Sequence, residues 1–428
     1  KDNMMIYRWK EDVTNDNTGA FFYIKNLNSN EYWSSYYQPC KNEGDNYEVI
    51  FSLDKAEFRR VDGNIKTITE VAVSNEDNGE IRKIMLTNNS NSTRIMEITS
   101  YCEVTLTHYN ADLVHPAFSN LFIKTEYTEN PLCLLAYRRK REKDGKEPWA
   151  MHTVIADEKI VGKVQYETSR GNFIGRNREL NKPEVMESDS PLTNTVGAVL
   201  DPILSIRVRV KIPPGETCKI AYITAVGESR EEAVKLAMKY RDWNNVNRVF
   251  ELAWTQSQVE TRYLGIKSSI ANLYQSMASK IIFLNNTFRE RQDYIKAIDK
   301  GQPALWSYGI SGDLPIVVVL LRKEEDLDMV RQMIKAHEYW SLKGLKVDLI
   351  ILNLESSSYI QALQDAIRDI VYSSHVRDKE NSFGGVFLYN KAIMAEEDIK
   401  FIISIARLII DPEKGSITSQ IKKKDKPE

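Results

Sequence analysis

Residues 305–321, LWSYGISGDLPIVVVLL, mark the point at which the chain changes character. The first half is a turn segment, because Gly309 and Gly312 permit backbone angles closed to other residues and Pro315 fixes the start of a strand. The second half, residues 316–321, is an apolar run without polar alternation, which is typical of a strand buried on both faces. The stretch therefore predicts the first strand of a parallel sheet, with alternating strands before it and strand–helix units after it.

Three strand–helix units begin here, with strands predicted at 316–321, 347–352 and 385–388. An apolar helical stripe follows each strand. The last stripe carries Ile399, Ile402, Ile403, Ala406 and Ile410. Alternation of strand and helix predicts right-handed crossovers and a small parallel sheet of three or more strands.

The carboxyl ends of parallel strands are where an open sheet binds ligands. In this chain they carry a polar set that lacks a nucleophile with its base: Arg322, Asn353, Glu355, Ser356, Tyr389 and Asn390. A packing domain is therefore favoured, and a small-molecule-binding α/β module stays the alternative. His337 falls on the apolar stripe of its helix, which predicts a core histidine.

The chain before residue 229 consists of short alternating runs separated by clusters of asparagine, glycine and aspartate. This pattern is typical of sandwiches, and residues 61–64, VDGN, predict a tight hairpin. Ten runs are predicted as strands: 47–51, 56–60, 65–73, 81–87, 94–104, 134–138, 151–155, 164–167, 204–211 and 218–226. Together they predict an antiparallel β-sandwich larger than an immunoglobulin domain.

Helical periodicity follows the sandwich. Ser229 is a typical helix cap with Glu232 three residues later, and Leu236 and Tyr240 share one face of the predicted helix. The predicted fold class is a multidomain β plus α/β protein. Its predicted domains are a β-supersandwich at 1–228, a helical linker at 229–303 and an α/β domain at 304–428.

The composition excludes several classes of function. The chain has 428 residues, of which 42% are apolar and 28% charged, and its net charge of -2 gives no general attraction to nucleic acid or acidic lipid. The four cysteines are scattered without histidines at ligand spacing, so neither a metal site nor a disulfide framework is expected. The apolar blocks are too short for a membrane span, and the first residues form no apolar leader, which favours the cytoplasm.

An aromatic and polar cluster at residues 31–39, EYWSSYYQP, is the first candidate binding site. Tyr32, Trp33 and Tyr36 offer rings to the C–H faces of sugars, and neighbouring hydroxyl and amide groups offer hydrogen bonds. Aromatic side chains on strands are also common as core or cross-strand partners. Both interpretations stay open.

Two segments expected to be loops carry the other candidates. In residues 112–120, Asp112 stands three positions before His115, where it can orient the imidazole for acid–base chemistry or simply anchor the loop. In residues 168–178, Arg176 follows Phe173 and a glycine. Such an arginine can reach an anionic or polyhydroxyl ligand, and a solvated loop is the alternative.

Ten short phrases lie in order along almost the whole chain: YEV 47–49, AEFRR 56–60, LTN 86–88, TSY 99–101, HPAFS 115–119, QYET 165–168, FIGR 173–176, GAVLDP 197–202, GISGDLP 309–315 and HEYW 337–340. In this order they resemble the bacterial cyclic β-1,2-glucan synthases. The resemblance covers the sandwich and linker region associated with glycoside hydrolase family 94, the inverting β-glucoside phosphorylases formerly called glycosyltransferase family 36.

The resemblance implies a β-supersandwich that linker helices join to an (α/α)6 barrel. The barrel carries the general acid, inorganic phosphate is the nucleophile, and in the synthases a membrane-embedded transferase uses UDP-glucose. The chain stops after the α/β units, so we expect it to contain no catalytic residue and no cofactor of its own. The loop at 173–176 is implied to lean toward a neighbouring active site.

We therefore predict an accessory region, providing scaffold and glucan contacts, of a cyclic β-1,2-glucan synthase-like glycosyltransferase or phosphorylase polypeptide. A catalytically active β-glucoside phosphorylase or transglycosylase segment is the alternative from the enzyme class. Expected partners are β-1,2-glucan or another β-glucan and the catalytic domains of the same polypeptide, with no nucleic acid and with a homodimer as one candidate assembly. The expected location is the cytoplasm, at the inner membrane through the transferase region. The predicted carbohydrate contacts are Tyr32, Trp33, Tyr36, Asp112, His115, Phe173 and Arg176.

Overall fold

The computed structural model describes residues 4–10, 12, 14–140, 147–158, 160–284, 295–296, 299–355 and 362–422. The chain forms two compact units, Lys1–Ser257 and Gln258–Glu428. Antiparallel sheets build the first unit, and a parallel sheet with helices builds the second, which confirms the predicted fold class. The domain boundaries at residues 228 and 303 stay a prediction.

The first unit is a sandwich of two antiparallel sheets. Its described strands are β1 Met4–Tyr7, β2 Ala20–Asn26, β3 Glu31–Ser34, β4 Asn46–Phe51, β5 Ala56–Asp62, β6 Ile65–Val73, β7 Gly79–Asn88, β8 Arg94–His108, β9 Ile123–Glu129, β10 Leu132–Arg138, β11 Trp149–Ala156, β12 Gln165–Ser169, β13 Pro202–Ile212 and β14 Thr217–Gly227. One sheet has the order β12-β13-β8-β2-β3, with β1 also paired to β8, and the other has the order β4-β5-β6-β7-β14-β11-β10-β9. All ten predicted strands are confirmed, with small changes at their ends.

Strand β2 shows how burial hides a strand from prediction; β1, β3 and β9 are the other described strands of this unit that were not predicted. Residues 21–26 of β2 are all buried. Phe22 and Ile24 belong to the core between the two sheets, whereas Phe21 and Tyr23 pack on the outer face of the six-stranded sheet. Burial on both faces removes the polar alternation by which an exposed strand is recognised.

The described helices that begin in the first unit include four short ones and two longer ones, the last of which ends beyond Ser257: α1 Tyr109–Val114, α2 Pro116–Asn120, α3 Arg170–Ile174, α4 Glu184–Glu187, α5 Arg230–Lys239 and α6 Trp243–Tyr263. The segments 112–120 and 168–178 were expected to be loops, and that expectation is wrong because they contain α1, α2 and α3. Helices of five or six residues are too short to show an apolar period. The predicted cap of α5 is confirmed, since Ser229 Oγ accepts a hydrogen bond from the Glu232 N–H at 3.2 Å.

The outer face of the eight-stranded sheet is covered by α5 and the start of α6. Leu236, Tyr240 and Val249 from these helices pack against Ala221 and Ile223 of β14. The predicted apolar face of the helix therefore has its partner on the sheet.

The second unit contains a four-stranded parallel sheet in the order β17-β16-β15-β18. Its described strands are β15 Ile316–Leu321, β16 Asp348–Asn353, β17 Val386–Asn390 and β18 Leu408–Ile410. Its described helices are α7 Ser268–Ile282, α8 Pro303–Trp306, α9 Leu327–Leu342, α10 Ala362–Tyr372, α11 Glu396–Ile405 and α12 Ile417–Ile421, with 3-10 turns at Glu324–Asp326, Arg377–Lys379, Lys391–Ile393 and Pro412–Lys414. His337 is a core residue as predicted, since it is buried and its Nε2 lies 2.9 Å from the carbonyl oxygen of Val347.

One helix predicted in the second unit ends earlier than expected. The stripe that includes Ala406 and Ile410 was predicted as one helix, but the helix ends at Ile405 because Ala406 takes an extended conformation with φ -60° and ψ 134°. Residues 408–410 then pair with β15 as a fourth parallel strand. A short run of isoleucine and leucine fits both a helix and a buried strand, so its period cannot separate them. None of the helices in the described ranges combines the length and apolarity needed to span a bilayer.

A polar network crosses the core between the two sheets. His152 Nε2 lies 2.8 Å from Ser100 Oγ, and His152 Nδ1 lies 2.9 Å from Thr224 Oγ1. Tyr222 also crosses the core and donates to the carbonyl oxygen of Ile98 at 3.0 Å. Burial, followed by the positive charge of Arg82, lowers the pKa of His152 to about 3. The imidazole is therefore neutral in the folded protein at neutral pH.

We predict that His152 makes stability depend on acid. Its ordinary pKa is 6.5. The unfolded chain therefore binds a proton below that pH while the folded chain does not, so the stability is complete above pH 6.5 and is lost as the pH falls toward 3. The wild type should have a larger free energy of unfolding than His152→Gln above pH 6.5. This difference should shrink by about 1.4 kcal/mol for each pH unit between pH 6.5 and about pH 3. Urea unfolding at a series of pH values measures this, and a constant difference would contradict it.

Candidate functional site

A polar cleft of about 690 Å³ lies in the first unit. Four segments and Arg94 at the start of β8 form it; the segments are residues 26–33 around the β2–β3 turn, 40–45 before β4, 62–65 at the β5–β6 turn, and 181–187 around α4. The rings of Tyr32 and Trp33 line it, together with carboxylates, amides and two cations: Glu31, Asp45, Asp62, Glu187, Asn26, Asn30, Asn42, Asn64, Asn181, Arg94 and Lys182. Rings beside many donors and acceptors are the chemistry that a polyhydroxylated ring requires.

Tyr32 is fixed by a hydrogen bond across the cleft. It lies on the edge strand β3, opposite Lys25 of β2, and its hydroxyl donates to Glu187 Oε1 at 2.6 Å. Burial, followed by this hydrogen bond, raises the pKa of Tyr32 above its ordinary value. The phenol is therefore a neutral donor, and its ring is held in one place.

One side of the cleft, residues 180–187, is held by buried donors from the six-stranded sheet, and we call it the cleft wall. The Tyr23 hydroxyl donates to the carbonyl oxygen of Leu180 at 2.7 Å. Lys25 Nζ donates to the carbonyl oxygen of Met186 at 3.0 Å. Arg207 Nη2 donates to the carbonyl oxygen of Val185 at 2.7 Å. Backbone carbonyls that would otherwise lack partners are satisfied by these donors, so the wall is fixed without a regular strand or long helix.

The opposite side of the cleft is organised by Arg60, whose side chain is fully buried. Its Nη1 donates to the carbonyl oxygen of Tyr36 at 3.0 Å, and its Nε donates to Asp62 Oδ2 at 2.7 Å. Gly44 has a φ of +71°, and a Cβ atom there would lie 2.8 Å from the carbonyl oxygen of Val61. The loop before β4 therefore approaches β5 closely, as only glycine allows.

The structure brings Tyr32 and Trp33 together in the cleft, out of the seven residues predicted as carbohydrate contacts. Trp33 is 5% exposed, and its Nε1 has no hydrogen-bond partner in the part of the chain that the structure describes. Tyr36 is buried beside the cleft, where its hydroxyl accepts from Arg82 Nη1 at 3.0 Å and its ring packs on Phe58. Tyr36 therefore supports the site from the core.

The other four predicted contacts lie outside the cleft. Asp112 is buried and both of its carboxylate oxygens accept from Arg8 at 3.0 Å, while His115 is exposed between α1 and α2. The acid–base interpretation of this pair therefore has no support from the geometry, because the carboxylate is committed to the arginine. Phe173 is fully buried against Tyr101, and Arg176 is exposed. Sugar contact by these four residues stays a prediction. None of the four lines the cleft.

Four residues that line the cleft were not predicted as site residues: Asp45, Asp62, Asn181 and Glu187. They are separated by up to 142 positions, and only the fold brings them to one cleft. One local signal was present, because Asp62 and the two residues after it form the predicted hairpin turn that lines the cleft.

The strand ends of the second unit hold an ion pair. Arg322, which follows β15, donates from Nη1 to Asp411 Oδ1 at 2.7 Å, directly after β18. Asn353 is buried and bonded to Gln364, which accepts at 3.3 Å. Ser356, which was named with this polar set, lies outside the described residues. These contacts tie strand ends to their neighbours and agree with a packing role.

The two antiparallel sheets define the first unit as a large β-sandwich. Residues 1–243 match the family model described as glycosyl hydrolase 94, supersandwich domain. The chain belongs to this family, which confirms the resemblance found in its sequence.

Three relatives of known function are similar to the chain. The cyclic beta-(1,2)-glucan synthase NdvB of Rhizobium meliloti (strain 1021) is 30% identical over 417 residues, which cover 97% of this chain and 15% of that protein. The N,N'-diacetylchitobiose phosphorylase of Vibrio furnissii is 24% identical over 57% of this chain and 30% of its own length. The solabiose phosphorylase of Paenibacillus borealis is 21% identical over 59% of this chain and 32% of its own length. The chain is thus related to glucan synthases and phosphorylases, and it spans less than a third of each.

We predict that Tyr23→Phe loosens the cleft wall. The change leaves the carbonyl oxygen of Leu180 without its buried donor, which should lower the free energy of unfolding by about 1–3 kcal/mol. Hydrogen exchange of the amides at 181–187 should become faster under native conditions. Tyr222→Phe is the matched control, because it removes a buried hydroxyl donor that serves Ile98 in the core. Unchanged exchange at 181–187 in Tyr23→Phe would contradict the role of the hydroxyl.

Proposed function

We propose that this chain is an accessory region that binds glucan within a larger polypeptide related to glucan synthases and phosphorylases. The observation that carries the proposal is the cleft, where Tyr32 stands between carboxylates and amides that the protein holds in place. Family membership and the relation to NdvB support the ligand class.

A pyranose ring fits the chemistry of the cleft. Its C–H face can pack on the half-buried ring of Tyr32, because aromatic rings accept contact from apolar C–H surfaces. Its hydroxyl groups both donate and accept, and they would meet the Glu187 carboxylate and the amides of Asn181 and Asn64. One stacking ring with several convergent polar groups provides both affinity and orientation.

The carboxylates of the cleft are arranged to accept hydrogen bonds. Asp62 accepts from Arg60 at 2.7 Å, Asp45 from the N–H of Gly63 at 2.7 Å, and Glu187 from Tyr32 at 2.6 Å. These three carboxylates are therefore committed to donors of the protein itself. We infer that the cleft holds a glucan without cleaving it.

The proposal also covers the glycosidic linkage of the bound glucan, the partner domains and the location of the protein. The name of NdvB specifies a beta-(1,2)-glucan, so linear and cyclic β-1,2-glucans are the first ligands to test. Catalytic domains of the same polypeptide are the proposed partners, and inorganic phosphate and UDP-glucose are proposed for those domains. Homodimer formation and a cytoplasmic position at the inner membrane stay predictions from the resemblance.

We predict that the chain binds linear β-1,2-glucan and that Tyr32→Ala weakens binding at least tenfold. Loss of the ring removes a stacking contact of about 1.4 kcal/mol. Isothermal titration calorimetry measures both proteins. Tyr372→Ala, which removes an exposed tyrosine from α10 in the second unit, is the matched control and should leave the affinity unchanged.

Two results would contradict this proposal. The absence of heat with millimolar linear and cyclic β-1,2-glucan would remove glucan binding. Release of glucose 1-phosphate from β-1,2-glucan and inorganic phosphate by the chain alone would replace the accessory role with phosphorolysis.

A further inference from the structure

Two smaller clefts lie in a row beside the first one on the same unit. The second cleft, of about 220 Å³, shares Asn181 with the first. The third cleft, of about 230 Å³, shares Asn17, Arg170 and Leu180 with the second. The shared lining residues place the second cleft between the first and the third. We call the second and third clefts together the Arg170 groove.

Each of the two clefts of the Arg170 groove is too small to be a ligand site by itself. Small-molecule sites usually enclose about 300–1,000 Å³, a range that includes the first cleft but neither of the other two taken singly. A ligand that enters one of the two small clefts would therefore extend into a neighbouring cleft. An oligosaccharide chain is such a ligand, because each sugar unit repeats the same ring and hydroxyl groups.

The polar groups of the groove are held in place before any ligand arrives. Arg170 Nε donates to Glu103 Oε1 at 3.0 Å, and Arg8 Nη1 donates to Glu103 Oε2 at 2.9 Å. The Tyr101 hydroxyl also donates to Glu103 Oε1 at 3.0 Å. The glutamate is thereby paired with two guanidinium groups, and Arg170 keeps a side chain that is 41% exposed. A fixed, partly exposed guanidinium can donate to neighbouring hydroxyl groups at a small cost in ordering entropy.

The charges along the three clefts point to a neutral ligand. Basic and acidic side chains line the combined surface in equal numbers. The groove itself is lined by five basic residues and three acidic ones: Arg8, Lys10, Lys41, Arg170, Arg178, Glu103, Glu179 and Asp201. Arg8 and Arg170 are already paired with Glu103, so they offer an anion less than free cations would. A neutral polyhydroxylated chain can use both signs, because each hydroxyl group donates to the acids and accepts from the bases.

We propose that the three clefts form one path that binds an extended, neutral oligosaccharide chain, with Tyr32 at one end and Arg170 at the other. This proposal rests on the glucan binding proposed for the first cleft and adds that several consecutive sugar units are bound. Short chains occupy the Tyr32 cleft alone, and longer chains also fill the Arg170 groove.

A series of linear β-1,2-glucan chains tests the path by calorimetry. The octasaccharide should bind the wild-type chain at least tenfold more tightly than the disaccharide, with one chain per protein molecule. Arg178→Ala removes an exposed arginine of the groove, and it should weaken the octasaccharide about fivefold and the disaccharide by less. Arg331→Ala, which removes an exposed arginine of α9 in the second unit, is the control and should change neither.

The outcomes separate the two proposals. Equal affinity for both chain lengths, or an octasaccharide affinity that Arg178→Ala leaves intact, would overturn the extended path while glucan binding stands. Competition of millimolar inorganic phosphate with the octasaccharide would overturn the neutral-ligand assignment. Failure of every chain length to bind would overturn glucan binding itself.

Discussion

The outer face of the six-stranded sheet carries apolar side chains and must be covered by other parts of the chain. The segment that covers it also forms one side of the cleft. Phe21, Tyr23 and Tyr101 place ring surface on that face, and exposure would cost about 25 cal/mol per Å² of apolar area. Helices α3 and α4 and the residues between them provide the cover. Since β3 is the edge strand of the sheet, the end of this cover stands beside Tyr32 and becomes the cleft wall.

Polar groups on the same face make the cover obligatory. Lys25 is 2% exposed, and a buried ammonium without acceptors would be strongly destabilising. The cleft wall supplies carbonyl oxygens to Lys25 and Arg207, and Glu97 pairs with Arg207 at 3.2 Å. Burial still lowers the pKa of Arg207 below its ordinary value. The wall and the sheet therefore stabilise each other, and a site formed in this way is ordered before a ligand arrives, which favours affinity.

The sequence was informative where one local pattern decided the structure. Residues 316–321 form the predicted strand, residues 65–73 form the predicted alternating strand, and Ser229 caps its helix. Prediction failed where burial on two faces or a short length removed the pattern, as in β2 and β18. The site was predictable only through Tyr32 and Trp33, since its other groups come from turns and a wall that are distant in sequence. The sequence does not distinguish Tyr23 and Lys25 from ordinary strand residues. Their role as buried donors becomes visible only in the structure, where the carbonyl oxygens of the cleft wall accept their hydrogen bonds.

A crystal structure of the chain with a linear β-1,2-glucan tests the central claim most directly. We expect an ordered glucan in the cleft, with one pyranose ring packed on Tyr32 and its hydroxyl groups bonded to Glu187 and Asn181. An empty cleft at saturating glucan, or a glucan ordered on another surface of the protein, would contradict the account.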